Sequence, residues 1–210
     1  MSVERIGQER PAQRRVPAQE RSRARVQRIL DAAAALVLER GVEALSTRAI
    51  AQAAEVPVAS LYQYFADKED VLLALAERDM AEMDEQVAFD VARLESLAVG
   101  DFVRTVMAAF VAVYHRRPAF VEIYLRGRTN VAVHRFGRDH NARIAETLRD
   151  FALQRGLADE RLTPTAALLA VEIGDRVFQL AFEHDLRGDT ETVEEGIRMV
   201  AAYLESRAAS

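Results

Sequence analysis

The chain has 210 residues, 50% of them apolar, and a formal net charge of −5. This length is enough to bury a hydrophobic core as one large domain or two smaller ones. The absence of cysteine excludes disulfides, thiolate metal sites and a cysteine nucleophile. No apolar run approaches about 18 residues, so we expect no membrane span. The charged N-terminus lacks the apolar segment of a secretory signal, and we expect a cytoplasmic protein.

The charge is unevenly distributed along the chain. Residues 1–28 hold eight Arg and three Glu, a net charge of +5, whereas residues 66–210 hold 18 Lys or Arg and 26 Asp or Glu, a net charge of −8. A basic leader on an acidic body suggests contact with an anionic polymer. A solvated, disordered tail has the same composition, and we expect residues 1–20 to be disordered.

The spacing of apolar residues predicts an all-α protein of about nine helices. The first is expected over about residues 20–40, followed by Gly41 in a left-handed cap. Ser46 is expected to cap the second helix. Only residues 55–57 separate it from a third helix that begins near Val58. A helix, a tight turn and a second helix are typical of a DNA-reading motif when the second helix is exposed on one side.

The third helix has two different faces. Leu61 and Phe65 share the face expected to pack on the domain, and Tyr64 lies at its margin. Periodicity places Val58 near the packed face, where it either packs or meets a partner. The opposite face carries Ala59, Ser60, Tyr62 and Gln63. The alternative for the tyrosines is an ordinary packing role.

The remaining helices are longer and more apolar. Asp67 is expected to cap a helix that ends near residue 95, and Thr163 with Pro164 should open a later one. That helix, over about 164–186, is apolar nearly all round and should therefore be buried on all sides. We expect it to pack, together with the last helix, against a second copy of the chain through about residues 164–207. The other helices are expected over about 100–116, 118–126 and 133–155.

The N-terminal segment carries a linked set of features at fixed spacing: Ala32-Ala33, Gly41, the Thr47 cap region, Ile50-Ala51, Ala54, Val56, "LYQYF" and Lys68-Glu69. With this set, about residues 22–82 resemble the DNA-binding domain of the tetracycline-repressor (TetR) family of bacterial regulators. The rest of the chain resembles the family only in its helical layout. The resemblance implies a homodimer that places the second motif helix in the major groove. It also implies a separate helical domain that binds a small-molecule effector and lowers DNA affinity.

The resemblance also implies roles for individual residues. Arg48 matches a position near the start of the first motif helix, where family members can reach a base edge. The groove-facing positions are Val58, Ala59, Ser60, Tyr62 and Gln63, and the phosphate contacts are Thr47, Tyr64 and Lys68. Their chemistry agrees, because Gln63 can pair with adenine and Arg48 with guanine. Tyrosine hydroxyls and a lysine can position the motif on phosphates.

The motif departs from the family pattern at three positions. Glu55 occupies the turn position usually filled by glycine, and a non-glycine residue with positive φ costs roughly 1 kcal/mol. Pro57 replaces the usual Ser or Thr cap, which a first helical turn tolerates. Ala59 stands where glycine often allows a close approach to the DNA backbone.

The body offers candidates for an effector pocket, since such pockets are mostly apolar with a few placed polar groups. Polar residues on apolar faces, among them Asn141, Glu172 and Asp175, either line such a pocket or form buried ion pairs between helices. A mid-helix Gly174 either permits a close helix crossing or has no role. The pocket is expected to involve Phe110, Tyr114, Tyr124, Arg126, Phe151 and Phe178.

Other kinds of site receive little support. His134 and His140 are six residues apart, which is poor spacing for two ligands on one helical face, so we expect no metal. The sequence has no phosphate-binding glycine loop and no nucleophile motif, and we expect neither a cofactor nor an enzyme.

The residues and the resemblance together predict three regions: a disordered basic arm (1–20), a helix-turn-helix domain (21–66, to about 82 with the start of the fourth helix) and a ligand-binding and dimerisation domain (67–210). We expect a homodimeric repressor that binds double-stranded DNA at a palindromic operator and is released by an unidentified effector. The rival classes are an all-α enzyme and a helical protein-interaction module. Salt-sensitive binding to duplex DNA distinguishes both from a regulator.

Deleting residues 1–20 should weaken DNA binding and flatten its salt dependence, because the log–log slope falls by about 0.9 for each phosphate that is no longer neutralised. The measurement is fluorescence anisotropy with a duplex at several salt concentrations. An unchanged slope would show that the arm does not contact DNA.

Overall fold

The computed structural model describes residues 18–95, 98–127 and 130–207. Within these ranges all regular secondary structure is helical, which confirms the predicted fold class. The helices are α1 (Ala18–Arg40), α2 (Thr47–Ala53), α3 (Val58–Leu61), α4 (Lys68–Ala92), α5 (Val99–Arg116), α6 (Pro118–Phe120), α7 (Val131–Gln154), α8 (Pro164–Ala181) and α9 (Thr190–Glu205). A π-helical turn, Val121–Leu125, continues α6.

The predicted basic arm falls almost entirely outside the described residues. Residues 1–17 are not described, whereas residues 18–20 form the first turn of α1 and so are helical rather than disordered. Across the described part of the chain, no helix is both long enough and apolar enough to cross a membrane.

The predicted helix starts are confirmed by their capping hydrogen bonds. Ser46 Oγ accepts from the backbone N of Ala49 at 3.2 Å, and Asp67 Oδ1 accepts from that of Asp70 at 2.9 Å. Thr163 Oγ1 accepts from the N of Ala166 at 3.2 Å, with proline at the first helical position. Each bond satisfies an amide that a helix start leaves unpaired.

Helix α8 ends at Ala181, about five residues earlier than the periodicity suggests. Phe182 is fully buried against the Tyr114 ring, with centroids 5.3 Å apart. The chain folds back over it, and the Asp189 amide donates to the Ala181 carbonyl at 2.8 Å. Gly188 makes this return possible, since its φ is +74° and a Cβ there would lie 2.7 Å from the Phe182 ring.

Helix α4 belongs to both halves of the molecule. Its residues Val71, Leu72 and Leu75 are buried in one core with α1, α2 and α3, and the same helix packs along α5 and α7. At its start, Glu69 Oε2 accepts from Asn130 Nδ2, at the start of α7, at 2.9 Å. The N-terminal three-helix unit and the body are therefore joined through one continuous helix.

A buried ionic cluster lies where α4 meets α1 and the α5–α6 connection. Asp79 is 1% exposed, and its Oδ1 accepts from Arg78 Nε at 2.9 Å. Arg78 Nη1 also lies 2.7 Å from Asp31 on α1, and Arg117 Nε lies 3.7 Å from Asp79 and 2.7 Å from Glu82. Burial raises the pKa of the Asp79 carboxyl above its usual value, and the two arginines oppose this rise.

Asp79→Ala should lower the free energy of unfolding by about 3 kcal/mol, because it leaves the largely buried Arg78 without its inner partner. Asp31→Ala is the matched control, since it removes a partner of the same arginine that is 66% exposed. The control should cost less than about 1 kcal/mol. Urea unfolding measures both, and equal effects would contradict the proposed importance of burial.

Candidate nucleic-acid interface and internal cavity

The turn between α2 and α3 is held by a strained residue. Glu55 has φ +54° and, within the described ranges, is the only non-glycine residue with positive φ. This confirms the conformation expected from its place in the motif. The following amide, that of Val56, donates to the Ala51 carbonyl at 3.0 Å. The turn is thereby closed in three residues.

Helix α3 is anchored on one side only. Leu61 is fully buried and Phe65 is 7% exposed, as the periodicity predicted. The backbone forms a regular α-helix only from Val58 to Leu61 and continues as turns, with the Phe65 amide donating to the Leu61 carbonyl at 3.1 Å. The two apolar anchors therefore fix the direction in which this segment presents its other side chains.

The predicted DNA-contacting residues differ in exposure. Tyr62 is 54% exposed and Val58 is 38% exposed, so Val58 does not pack into the core. The Thr47 and Tyr62 hydroxyls lie 3.1 Å apart, which joins the start of α2 to the end of α3. The other exposed members of the set are Arg48, Ala59 and Gln63, and the half-buried members are Thr47, Ser60, Tyr64 and Lys68.

Tyr64 is tied to the first helix. Its hydroxyl accepts a hydrogen bond from Ser22 Oγ at 3.2 Å. This bond lowers the pKa of the Tyr64 hydroxyl, desolvation opposes the shift, and the positive charge of Arg25 adds to it. The hydroxyl still has its own proton to donate. Sequence reasoning missed Ser22 and Arg25; the only signal was their helical spacing toward the buried Ile29.

Lys68 occupies the first position of α4, directly after the cap residue Asp67. Asp70 completes a reciprocal cap by accepting from the Ala66 amide at 2.9 Å. The neighbouring acidic side chains are thus engaged at the helix start and with Asn130. Lys68 forms no salt bridge with any described residue, which leaves its ammonium group available to an anion.

The body contains a cavity of about 100 Å³ between α5, α7, α8 and α9. Of the predicted pocket residues, Phe110, Tyr114 and Phe178 line it. The lining side chains missed by sequence reasoning are mainly aliphatic, for example Val103, Met107 and Ile144. Aliphatic residues on a helix face give the same periodicity whether they face a cavity or a filled core.

Three predicted pocket residues are not among those that line the cavity. Tyr124 is buried and stacked on Phe120 with centroids 5.2 Å apart, and its hydroxyl lies close enough to Asp175 on the cavity wall to lower the pKa of that carboxyl. Phe151 stacks on the outside of a lining residue, Phe102, at 5.7 Å. Arg126 pairs with Glu122 on the same turn and faces an exterior polar cleft.

The cavity wall also carries a few polar groups. Asn141 is 6% exposed, and its Nδ2 donates to Glu172 Oε1 at 3.3 Å. Asp175 Oδ2 accepts from Gln179 Nε2 at 2.8 Å. Gly174 lines the cavity too, and no heavy atom lies within 4 Å of where its Cβ would be, so it makes no close helix crossing.

The two candidate histidines engage different partners. His134 Nε2 lies 2.6 Å from the Gly127 carbonyl oxygen, whereas His140 Nε2 lies 2.8 Å from Asp84 Oδ1. Within residues 18–95, 98–127 and 130–207, no group of three or more His, Asp or Glu side chains could hold a metal ion.

The chain is a two-part helix-turn-helix protein. Its first part is a tight helix-turn-helix with an exposed polar second segment, and a shared helix joins this part to an all-helical body with its own cavity. Two family models match its two parts. The model for bacterial regulatory proteins of the tetR family matches residues 29–75, and the tetracyclin repressor-like C-terminal domain matches residues 100–204. The chain belongs to the TetR family of bacterial regulatory proteins.

Individual relatives agree with this placement. A TetR-family transcriptional regulator from Streptomyces coelicolor is 33% identical, with a TM-score of 0.71 over 87% of this chain and 99% of that one. The fatty acid degradation regulator FadR from Bacillus halodurans, at 16% identity, shares the fold, with a TM-score of 0.67 over 84% of this chain and 94% of its own. The transcriptional repressor KstR of Mycolicibacterium smegmatis is 40% identical over 65 residues, 31% of this chain. That match spans 32% of KstR, about a third of its length.

Proposed function

We propose that this protein is a homodimeric transcriptional repressor that binds a palindromic operator and releases it when a small molecule binds in the body. The observation that carries the proposal is the one-sided anchoring of α3. Leu61 and Phe65 are buried while Tyr62 and Gln63 are exposed beside them. A segment anchored in this way can enter the major groove without disturbing its own core.

The exposed residues divide into two kinds of contact. Gln63 and Arg48 have the side-chain groups that read adenine and guanine edges, and the exposed methyl groups of Val58 can meet a thymine methyl. Thr47, Tyr62 and Lys68 have donors suited to phosphate. The 3.1 Å between the Thr47 and Tyr62 hydroxyls supports a common phosphate contact for those two residues.

Tyr62→Ala and Lys68→Ala should each weaken operator binding at least about tenfold, and Lys68→Ala should lower the salt slope by about 1, as expected when one phosphate is no longer neutralised. The measurement is fluorescence anisotropy on a duplex selected from random DNA. Arg93→Ala is the matched control for charge, because Arg93 is an exposed cation at the opposite end of α4 from Lys68. Normal binding by either variant would contradict the assigned interface.

The dimer is proposed to form through α8 and α9. Leu169, Ile173 and Leu180 form one stripe on α8 and are 48%, 37% and 46% exposed, and Met199 on α9 is 56% exposed. These exposures explain the nearly all-round apolar pattern of α8, since one face lines the body and the other lies open. Large exposed apolar patches typically mark association surfaces.

Leu169→Asp should convert the dimer to monomers at micromolar concentration, because it places a charge in an apolar interface. Phe89→Asp is the matched control: Phe89 is 57% exposed but lies on α4, away from this stripe. Sedimentation measures the mass, and circular dichroism shows that both variants are folded. A Leu169→Asp dimer as stable as the control would refute this interface.

The effector is proposed to act through the body cavity. Drug-sized ligand pockets occupy roughly 300–1,000 Å³, whereas this cavity has about 100 Å³. A ligand of that size would have to push α5, α7 and α8 apart and would therefore favour a widened body. The ionic cluster around Asp79 joins the α5–α6 connection to α1, and it provides a route from the body to the N-terminal three-helix unit.

Repression rather than activation is proposed because the relative KstR is named a repressor. Action in the cytoplasm and the lack of enzymatic activity remain predictions from the sequence. Repression is tested by a transcription assay that uses the operator selected in the DNA-binding measurement above. Repression that requires Tyr62 and Lys68 is the expected result.

A further inference from the structure

The inner end of the cavity brings together an acidic group and aromatic rings. Asp175 on α8 lies there with Tyr114 from α5, Asn141 from α7 and Phe178, one turn further along α8. From Phe102 to Tyr114, the lining of α5 extends about 18 Å along its axis at 1.5 Å per residue. The remaining wall along this length is apolar except at Arg149, so the polar groups are concentrated at its two ends.

The acidic group at the inner end forms no salt bridge with any described residue, although the charge of His134 acts on it from a longer distance. Among the described residues, neither Asp175 nor its neighbour Glu172 forms a salt bridge. The adjacent Arg176 bonds to Gln179 Oε1 at 3.0 Å instead, and the amide of Gln179 is the donor that reaches Asp175. Burial raises the pKa of the Asp175 carboxyl, and the like charge of Glu172 adds to this rise. The Tyr124 hydroxyl, the Gln179 amide and the charge of His134 oppose it. A carboxylate in this setting gains most from a bound cation.

A second group at the same end lacks a partner. Tyr114 is only 2% exposed and lines the cavity, yet its hydroxyl makes no hydrogen bond to any described residue. No fully buried side-chain N or O atom of the described residues lacks a hydrogen-bond partner, so this hydroxyl opens onto the cavity, where a ligand could reach it. The negative charge of Asp175 contributes to raising the pKa of this hydroxyl, after burial, so the two groups share one environment.

The rings around this point form an aromatic corner. Phe178 meets Tyr114 edge-on at 5.2 Å and stacks on Phe110 at 5.8 Å, and Phe110 lies 6.3 Å from Tyr114. Ring faces attract cations, most strongly where water is excluded. Charge and aromatic surface therefore favour the same kind of ligand group.

We propose that the inner end of the cavity binds the positively charged head of a lipophilic cation, with Asp175 as its counter-ion, the Tyr114, Phe110 and Phe178 rings around it, and the apolar part of the ligand lying along α5. The inference rests on the proposed function, because it names the chemical class of the effector.

An anionic ligand is the competing class, because Arg149 lies at the other end of the lining. That arginine is already engaged, since its Nε donates to the Leu162 carbonyl at 2.7 Å and its Nη1 lies 3.7 Å from Asp150. Asp175 has no such charged partner. The observations therefore favour the cation.

The test uses three ten-carbon probes that differ only in the head group: decyltrimethylammonium, decanoate and 1-decanol, each kept monomeric. Calorimetric titration of the full chain should give a Kd for the ammonium at least about tenfold below the other two. Asp175→Asn should raise that Kd about tenfold and change the decanol Kd less than about twofold. Asp139→Asn, at an exposed carboxylate on α7 that does not line the cavity, is the control and should change neither.

A second variant tests the unpartnered hydroxyl. Tyr114→Phe keeps the ring, so it should leave decyltrimethylammonium binding unchanged. It should weaken decylamine binding several-fold, because only decylamine has N–H groups for the hydroxyl to accept. Equal losses for both probes would indicate a packing effect and refute the hydroxyl's role.

The outcomes separate this inference from the proposed function. Tighter binding of decanoate, abolished in Arg149→Gln, would overturn the cationic class while leaving the regulator intact, as would binding of none of the probes. DNA binding that requires Tyr62 and Lys68 tests the regulator without any probe. If DNA binding does not require Tyr62 and Lys68 but decyltrimethylammonium still binds, the proposed regulator is overturned and the cation site is retained.

Discussion

The shared packing of α4 is the constraint on which the rest of the molecule depends. Its residues Val71, Leu72 and Leu75 are buried in the core of the N-terminal three-helix unit, and α4 then continues along α5 and α7. A rigid helix with one end in each half cannot shift in the body without moving the other half. The buried Asp79 reinforces this, because its arginine partners reach α1 on one side and the α5–α6 connection on the other. This junction, together with the direct packing of α1 on α6, connects the two halves through which any coupling between cavity and DNA would act.

The proposed response to an effector also depends on the cavity. Its volume of about 100 Å³ and its mostly apolar lining make it a site that a drug-sized ligand could fill only if the surrounding helices moved. A ligand that neutralises Asp175 and widens the gap between α5 and α8 would stabilise a different body conformation. It would lower DNA affinity only by its preference for that conformation over the one that fits the operator.

Packing also explains why the sequence did not predict which residues line the cavity. Phe110 and Phe151 are both aromatic residues on amphipathic helices, yet one lines the cavity and the other stacks behind Phe102. The Tyr124 ring does not line the cavity but packs over Gly137, where a Cβ would lie 2.3 Å from it. Periodicity shows which residues leave the solvent, but it does not show which of the neighbours leave a gap between them.

Local interactions were determined by the sequence alone. The caps at Ser46, Asp67 and Thr163 and the opposed faces of α3 involve residues a few positions apart, so short-range spacing was sufficient to predict them. The positive φ of Glu55 followed from the resemblance to the family's turn, where glycine is usual. Only the tertiary structure decided that Val58 is exposed, that Ser22 holds Tyr64 across 42 positions and that Asp31 reaches Arg78 across 47. Those interactions depend on how separate helices are placed against one another, and helix placement is set by the packing of the whole core rather than by any one segment.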